Sequence, residues 1–284
     1  MVSVKDFDND FEKKWCPGCG NFSILSAMKQ ALAALDLSPD KIVIFSGIGQ
    51  AAKTPHFITC NFFHGLHGRA LPAATGAKIA NHDLTILVSS GDGDCYGEGG
   101  SHFMNAVRRN IDITLLVHDN KIYGLTKGQA SPTTDVHTMT KAQPFGVISE
   151  PFNPLAVALV LKAGFVARGF AGNTGHLSNL IQAGVQHRGF SIIDILQPCV
   201  SFNHVNTYQW YTERVYELEK EGYAPDNLHN ALDKAREWGD RIPIGILYKE
   251  EKPSFTDHIP ALGQGPLVNR AYERKNLVDL LNRF

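Results

Sequence analysis

The chain has 284 residues, and its 27 Lys and Arg residues against 28 Asp and Glu residues give a formal net charge of −1. This balance argues against a nucleic-acid-binding protein that relies on bulk positive charge. The first ten residues are acidic and do not resemble a secretory signal, and the longest apolar run is too short to span a bilayer. We therefore expect a cytoplasmic protein with neither a nucleic-acid nor a membrane partner.

Apolar runs typical of buried strands alternate with segments of helical periodicity along the first two thirds of the chain. The predicted helices cover residues 23–37, 69–80, 98–109, 153–163 and 175–187. The predicted strands cover residues 41–45, 84–89, 113–118, 165–168 and 191–196. This alternation predicts an α/β fold with a doubly wound, mostly parallel sheet, whose strand carboxyl ends form the ligand-binding edge.

The composition changes after residue 199, where Tyr, Trp, Lys and Glu become frequent. We expect residues 1–199 to form the α/β domain and residues 200–284 to form a C-terminal extension. Within the extension, the pattern predicts a helical stretch near 208–220 and a strand near 243–248.

Polar residues follow two neighbouring predicted strands. Gly91 and Gly93 flank Asp92 directly after one strand, and Asn120 follows the next strand 28 positions later. Because adjacent parallel strands lie about 4.8 Å apart, the oxygens of Asp92 and Asn120 can converge on one hard cation. Magnesium suits this pair, since it takes few protein oxygens and completes its shell with phosphate and water.

Residues 91–129 resemble the thiamine diphosphate motif, which begins with Gly-Asp-Gly and ends in Asn just under thirty residues later. The resemblance implies a thiamine-diphosphate-binding fold in which Asp92, Asn120 and the backbone carbonyl of Ile122 hold magnesium. The residues expected at the cofactor are Gly49, His67, Gly91, Asp92, Gly93, Asp94, Asn120, Ile122, Gly124, Leu125 and Thr126.

Five segments resemble, in the same order, the β subunit of 2-oxoacid:ferredoxin oxidoreductases. They are WCPGCG (15–20), SGIG (46–49), HGLHGRALPAATGAKIAN (64–81), GDGD (91–94) and YGLTKGQASPTT (123–134). The resemblance implies oxidative decarboxylation of a 2-oxo acid, with 2-oxoglutarate favoured over pyruvate, to acyl-coenzyme A and carbon dioxide. Electrons then pass through an iron–sulfur cluster to ferredoxin.

The resemblance also implies a separate α subunit, coenzyme A as co-substrate and an (αβ)₂ heterotetramer. The residues give an independent reason to expect a partner. Thiamine needs a site for its diphosphate and a carboxylate that activates its aminopyrimidine ring. The sequence contains one α/β unit, which supplies the first of these, so we expect another chain to supply the second.

The cysteines pose a separate question. The motif Cys16-Pro17-Gly18-Cys19 indicates metal or redox chemistry in a reducing compartment. The resemblance implies a [4Fe–4S] cluster, and the expected ligands are Cys16, Cys19 and Cys199. The family's fourth cysteine follows SGIG directly, where this chain has Gln50. Three explanations stay open: Cys60 replaces it, Gln50 or another group is an atypical ligand, or the cluster is altered or absent.

Cationic side chains near the cofactor are the candidates for holding the substrate carboxylate. His67 lies in a glycine-rich loop, Lys53 follows SGIG, and Lys127 follows the diphosphate motif. We expect these three residues to be catalytic. The alternative function is a non-oxidative thiamine-dependent decarboxylase or lyase subunit, and Gln50 in place of cysteine favours it. An analysis of iron and sulfide would distinguish this alternative from the oxidoreductase.

Overall fold

The computed structural model describes residues 1–271 and 274–283. The helices are α1 (Gly20–Ala34), α2 (Ala70–Ala80), α3 (Gly100–Arg109), α4 (Pro154–Val160), α5 (Thr174–Gln186), α6 (Tyr208–Thr212), α7 (Leu228–Arg236) and α8 (Arg274–Leu281). The strands are β1 (Ile42–Ser46), β2 (Asn61–His64), β3 (Thr85–Gly91), β4 (Ile113–Asp119), β5 (Ile122–Tyr123), β6 (Gln129–Ala130), β7 (Phe165–Phe170), β8 (Phe190–Leu196), β9 (Val215–Glu217) and β10 (Ile242–Lys249).

Eight of the strands form one sheet in the order β2-β1-β3-β4-β8-β7-β10-β9. The pairs from β2 to β7 are all parallel. β10 runs antiparallel to β7, and β9 runs parallel to β10. The prediction of an α/β fold with a mostly parallel sheet is therefore confirmed. The predicted helices and strands before residue 199 are all present, with bounds shifted by at most three residues.

Helices cover both faces of this sheet. α1 and α5 pack on one face, and α2, α3, α4 and α7 pack on the other. Strand β4 shows the consequence, because Leu115 and Val117 point into one core and Leu116 into the other. Each such buried aliphatic side chain stabilises the fold by about 1.5–3 kcal/mol. Burial on both faces explains why the strands are continuously apolar in sequence.

The segment after residue 199 differs from the sequence prediction in one respect. Residues 208–220 do not form a continuous helix, because α6 ends at Thr212 and residues 215–217 form β9. Parallel pairing of β9 with β10, with Val215 opposite Ile242, overrides the local helical pattern. The strand predicted near 243–248 is present as β10 and extends the central sheet. Of the expected extension, residues 272, 273 and 284 lie outside the described residues.

The carboxyl ends of β1, β3 and β4 meet at one edge of the sheet. β1 leads into the Ser-Gly-Ile-Gly loop, β3 leads into Asp92 and a π-helical turn at Gly93–Glu98, and β4 leads into Asn120. In the part of the chain that the structure covers, no helix has the length and apolar character needed to cross a membrane.

Candidate functional site

A cleft of about 100 Å³ opens where these three strands end. It is lined by the loop after β1, by His67, by the turn after β3 and by the segment that follows β4. The eleven residues expected at the cofactor all line it, namely Gly49, His67, Gly91, Asp92, Gly93, Asp94, Asn120, Ile122, Gly124, Leu125 and Thr126. The fold thus brings together residues that are up to 77 positions apart in the sequence, counted from Gly49 to Thr126.

The strand register places Asp92 and Asn120 side by side. Gly91 of β3 pairs with His118 of β4, so Asp92 and Asn120 leave neighbouring strands at nearly the same level. The Asn120 side-chain oxygen accepts a hydrogen bond from the backbone N–H of Ile122 at 3.0 Å, which fixes the turn after β4. Asp92, Asn120 and Ile122 all line the cleft, and their carboxylate, amide and carbonyl oxygens are a donor set that suits magnesium.

The Asp92 carboxylate is buried and held by hydroxyl groups. Its Oδ2 accepts hydrogen bonds from Ser131 Oγ at 2.5 Å and from Thr133 Oγ1 at 2.7 Å. Burial, reinforced by the nearby Asp119 carboxylate, raises the pKa of Asp92 to about 7. Thr133 Oγ1 also lies 2.7 Å from Asp119 Oδ1, so two carboxylates share one hydroxyl group. A divalent cation beside Asp92 would offset this concentration of buried negative charge.

Asp94 has a different role from its neighbour, because its carboxylate binds the protein itself. Oδ1 accepts hydrogen bonds from the backbone N–H groups of Ile48 at 3.0 Å and Gly68 at 2.7 Å. Oδ2 accepts one from Ser90 Oγ at 2.5 Å. The buried Asp94 side chain therefore fastens the loops that follow β1 and β2 to the turn after β3.

His67 is held by the Asp94 carboxylate and lies beside the Glu98 carboxylate. Its Nδ1 donates to Asp94 Oδ1 at 2.7 Å, and its Nε2 lies 3.4 Å from Glu98 Oε2. The first bond assigns the Nδ1 proton and orients the ring along the cleft wall. Lys53 and Lys127, the other two residues expected to be catalytic, are not among the residues that line the cleft. They flank it, since Lys53 N donates to the Gln50 carbonyl at 3.3 Å and Lys127 follows Thr126 directly.

Gly93 leaves no room for a side chain. A Cβ at this position would lie 2.3 Å from the Tyr123 ring, which closes one side of the cleft. The Tyr123 hydroxyl in turn lies 3.3 Å from the Gly93 carbonyl and 3.2 Å from Glu98 Oε2. The second glycine of the Gly-Asp-Gly motif is therefore required by packing.

Three of the cysteines lie near one another. Cys16 and Cys19 belong to the loop that precedes α1, and a Cβ at Gly18 in this loop would lie 3.7 Å from Val200 Cγ1, next to Cys199. Ser201 Oγ lies 3.0 Å from Cys16 Sγ, which also ties the two loops together. Burial raises the pKa of the Cys19 thiol, and the adjacent Cys199 and Cys16 raise it further.

The three thiols are not arranged as a site for one metal ion. Across residues 1–271 and 274–283, no group of three or more His, Cys, Asp or Glu side chains has a geometry suited to a single ion. Iron–sulfur thiolates bind separate iron atoms, so they do not share one ion.

Gln50 adjoins the cysteine loops, whereas Cys60 lies elsewhere. The Gln50 carbonyl accepts a hydrogen bond from the Trp15 indole at 3.0 Å, directly before Cys16. Cys60 precedes β2 and packs against the hydrophobic core beneath α1. Burial raises the pKa of its thiol to about 12. Cys16 and Cys199 act on the Cys19 thiol, whereas none of the other described cysteines acts on Cys60, so the structure brings together Cys16, Cys19 and Cys199 without Cys60.

Sequence reasoning missed several residues that shape the site. Ser131 and Thr133 hold Asp92, and Gln197 donates from Nε2 to Cys19 Sγ at 3.5 Å. The signal for the first pair was the hydroxyl-rich stretch Ser131-Pro132-Thr133-Thr134 after the cofactor loop. Nothing in the sequence around Gln197 distinguishes it from other strand-end residues.

Open α/β proteins bind their ligands in clefts at the carboxyl edge of the sheet, and comparison with known families identifies this domain as one that binds thiamine diphosphate. The family model for the C-terminal TPP-binding domain of thiamine pyrophosphate enzymes matches residues 45–195. The model for the C-terminal part of the pyruvate ferredoxin oxidoreductase β subunit matches residues 199–264.

Individual relatives identify the family within the thiamine diphosphate-binding proteins. The chain is 45% identical over 285 residues to the 2-oxoacid:ferredoxin oxidoreductase subunit beta of Saccharolobus solfataricus, covering 92% of each chain. It is 32% identical over 250 residues to the 2-oxoglutarate synthase subunit KorB of Methanocaldococcus jannaschii, covering 87% of this chain and 92% of the relative. It is also similar to a 2-oxoglutarate:ferredoxin oxidoreductase structure from Magnetococcus marinus, solved with 2-oxoglutarate, coenzyme A and succinyl-CoA bound. That similarity has a TM-score of 0.92 at 35% identity, over 99% of this chain and 96% of the other. The chain belongs to the family of 2-oxoacid:ferredoxin oxidoreductase β subunits.

Proposed function

We propose that this chain is the β subunit of an enzyme that oxidatively decarboxylates 2-oxoglutarate to succinyl-coenzyme A and transfers the electrons to ferredoxin. The convergence of Asp92, Asn120 and the other expected cofactor residues on one cleft carries the proposal. The Magnetococcus marinus enzyme, solved with 2-oxoglutarate, coenzyme A and succinyl-CoA, supports this substrate over pyruvate.

The magnesium site would be formed by Asp92, Asn120 and the Ile122 carbonyl. The buried Asp92 carboxylate, with its raised pKa, fits a divalent cation that neutralises it. When bound, thiamine diphosphate supplies the electron sink that lets a 2-oxo acid lose carbon dioxide. The protein's part is to hold the diphosphate at the strand ends, to keep the cleft rigid through Asp94, and to orient His67 towards the reacting groups.

The two lysines beside the cleft would select the substrate. Lys53 lies in the 3-10 helix Ala51–Phe57, which begins at the cleft residue Ala51, and Lys127 follows the cleft residue Thr126. 2-Oxoglutarate carries two carboxylates and pyruvate carries one, so two cations at the rim favour the longer, dianionic acid. His67, held by Asp94 at 2.7 Å, lines the cleft and is our candidate for contact with the keto group.

The cysteine loops would hold an iron–sulfur cluster beside the same cleft. Cys16, Cys19 and Cys199 would be its protein ligands, and the cluster would supply a one-electron acceptor. Gln50 joins the two sites, because it lines the cleft and its carbonyl binds Trp15, the neighbour of Cys16. This proximity supports oxidative chemistry over the alternative of a non-oxidative lyase.

An α subunit would complete the active site. The described residues form one eight-stranded sheet and a short two-stranded sheet of β5 and β6, and the cleft lies at the carboxyl edge of the larger one. The relatives' names as β subunits support an α partner, and we propose an (αβ)₂ heterotetramer that uses coenzyme A and ferredoxin in the cytoplasm.

The test is an assay of the co-purified αβ complex with 2-oxoglutarate and pyruvate side by side, each with coenzyme A and ferredoxin. We expect magnesium, thiamine diphosphate, iron and sulfide in the complex, and a higher kcat/KM for 2-oxoglutarate. Lys53→Gln and Lys127→Gln should each lower kcat/KM for 2-oxoglutarate about tenfold or more, since a lost charged hydrogen bond costs about 1.5–3 kcal/mol. The same variants should affect pyruvate less, and Lys5→Gln, an exposed lysine of the N-terminal segment, serves as the control. Decarboxylation without ferredoxin reduction, in a complex free of iron, would support the lyase instead.

A further inference from the structure

The cysteine site is one thiolate short of the set that a four-iron cluster normally uses. Such clusters are held by four cysteine thiolates, one for each iron. The loops at residues 15–19 and 197–201 together supply Cys16, Cys19 and Cys199. Of the two remaining cysteines, Cys95 is buried in the turn after β3, within the core on the side of α2 and α3.

The strand register keeps Cys60 away from these loops. Asn61 pairs with Val43, so Cys60 lies level with Ile42, at the start of β1. Gln50 follows the opposite end of the same strand. The two ends of β1, Ile42 and Ser46, are four residues apart, which corresponds to about 13 Å. Cys60 therefore lies at the amino edge of the sheet, and the thiols of Cys16, Cys19 and Cys199 lie at its carboxyl edge.

Gln50 occupies the position from which a fourth ligand would come. Its backbone is tied to the cysteine loop by the 3.0 Å hydrogen bond from Trp15 Nε1. Its side-chain oxygen is buried and has no hydrogen-bond partner among the residues that the structure describes. A buried amide oxygen without a partner destabilises the fold, and a hydrogen-bond donor or a metal ion beside it would remove that cost.

We propose that the cluster of this chain has three protein thiolates, Cys16, Cys19 and Cys199, and that its fourth iron faces Gln50 and carries no thiolate. The inference rests on the proposed function, because it takes the presence of the cluster from there. Gln50 also lines the cofactor cleft.

An iron held without a thiolate is the weakest point of the cluster. One-electron oxidation should convert [4Fe–4S]²⁺ into [3Fe–4S]⁺, with release of one Fe²⁺ and transfer of one electron to the oxidant. The starting cluster is diamagnetic and the three-iron product is paramagnetic, so electron paramagnetic resonance distinguishes them without any assay of activity.

The experiment uses the αβ complex purified without oxygen and treated with ferricyanide, a one-electron oxidant. Wild type should release one Fe²⁺ per cluster and develop the signal of a three-iron cluster. Gln50→Cys should restore the fourth thiolate and keep its iron under the same treatment. Cys60→Ser should behave as wild type does, because Cys60 is not a ligand.

The outcomes separate this inference from the proposed function. A wild-type cluster that keeps all its iron and stays diamagnetic would overturn the inference, and so would a Cys60→Ser complex with altered iron content. Either result leaves the proposed electron transfer intact. A complex that contains thiamine diphosphate but no iron or sulfide would instead contradict the proposed function itself, and the inference with it.

Discussion

The Nδ1 atom of His67 lies 2.7 Å from Oδ1 of Asp94, and this contact joins a cleft residue to the carboxylate that holds the surrounding loops. The same oxygen accepts the backbone N–H groups of Ile48 and Gly68. Asp94 therefore acts as a positioning residue for the cleft. It does so although the residues before it in sequence, Asp92 and Gly93, are the ones that would bind the metal and the diphosphate.

Asp94→Ala should destabilise the protein strongly. It leaves the N–H groups of Ile48 and Gly68 without their acceptor, and each buried donor left unpaired costs about 1–3 kcal/mol. Asp94→Asn keeps an oxygen at the Oδ1 position and should cost less. Thermal unfolding of the αβ complex compares the two variants. Equal destabilisation by both would contradict the role assigned to Oδ1.

Gly93→Ala should disturb the cleft through packing. The added Cβ would lie 2.3 Å from the Tyr123 ring, and relieving such an overlap costs about 1–3 kcal/mol. We expect weaker thiamine diphosphate binding and a lower melting temperature. Gly100→Ala is the matched control, because a Cβ there would meet none of the described residues within 4 Å. Similar effects of both substitutions would show that the Tyr123 contact is not the cause.

Thr133→Val should weaken magnesium-dependent cofactor binding. The variant keeps the side-chain shape but removes the hydroxyl that lies 2.7 Å from both Asp92 and Asp119. A lost hydrogen bond to a charged group is worth about 1.5–3 kcal/mol, which corresponds to about a tenfold or larger loss of affinity. Thr133→Ser retains the hydroxyl and should bind as wild type does. Calorimetric titration with thiamine diphosphate measures the difference, and normal binding by Thr133→Val would contradict this role.

The stability of the complex should depend on pH through Asp194. Burial, reinforced by the nearby Asp119 carboxylate, raises the pKa of Asp194 to about 8, and Tyr96 donates a hydrogen bond to it at 2.7 Å. Between the unfolded pKa, which is about 4, and about 8, the folded state binds more protons than the unfolded state. The contribution of Asp194 to the free energy of unfolding therefore falls as pH rises through this window.

Asp194→Asn removes this dependence and keeps an oxygen for the Tyr96 hydroxyl. We expect the difference in melting temperature, variant minus wild type, to increase as pH rises from about 5 to about 8. Parallel curves for the two proteins across this range would show that Asp194 is not the group responsible.

The sequence predicted the central strands well, because burial on both faces gives a signal that is local. β3 and β4 are continuously apolar, and the polar residues after them mark the edge at which ligands bind. β2 escaped prediction because all four of its residues are exposed and its place is set by pairing with β1. The antiparallel entry of β10 into the sheet beside β7 likewise depends on contacts between distant parts of the chain.

The candidate site, too, could be predicted from the sequence only in part. Asp92 and Asn120 could be predicted from spacing, since neighbouring parallel strands place their carboxyl ends together. The role of Asp94 could not, because two of its partners are backbone N–H groups of loops 46 and 26 positions away. The separation of Cys60 from the other cysteines also required the strand register, which the sequence pattern does not determine.

Binding of thiamine diphosphate to the αβ complex, measured by calorimetry with wild type and Asp92→Asn, tests the central claim most directly. Wild type should bind in the presence of magnesium and lose binding when the metal is chelated. Asp92→Asn removes the charge of a direct metal ligand, and we expect an affinity lower by about 100-fold or more. Its thermal stability without cofactor should be at least that of wild type, because a buried carboxyl with a raised pKa is replaced by a neutral amide. Wild-type affinity in Asp92→Asn, or binding that does not require magnesium, would contradict the assignment of this cleft as the thiamine diphosphate site.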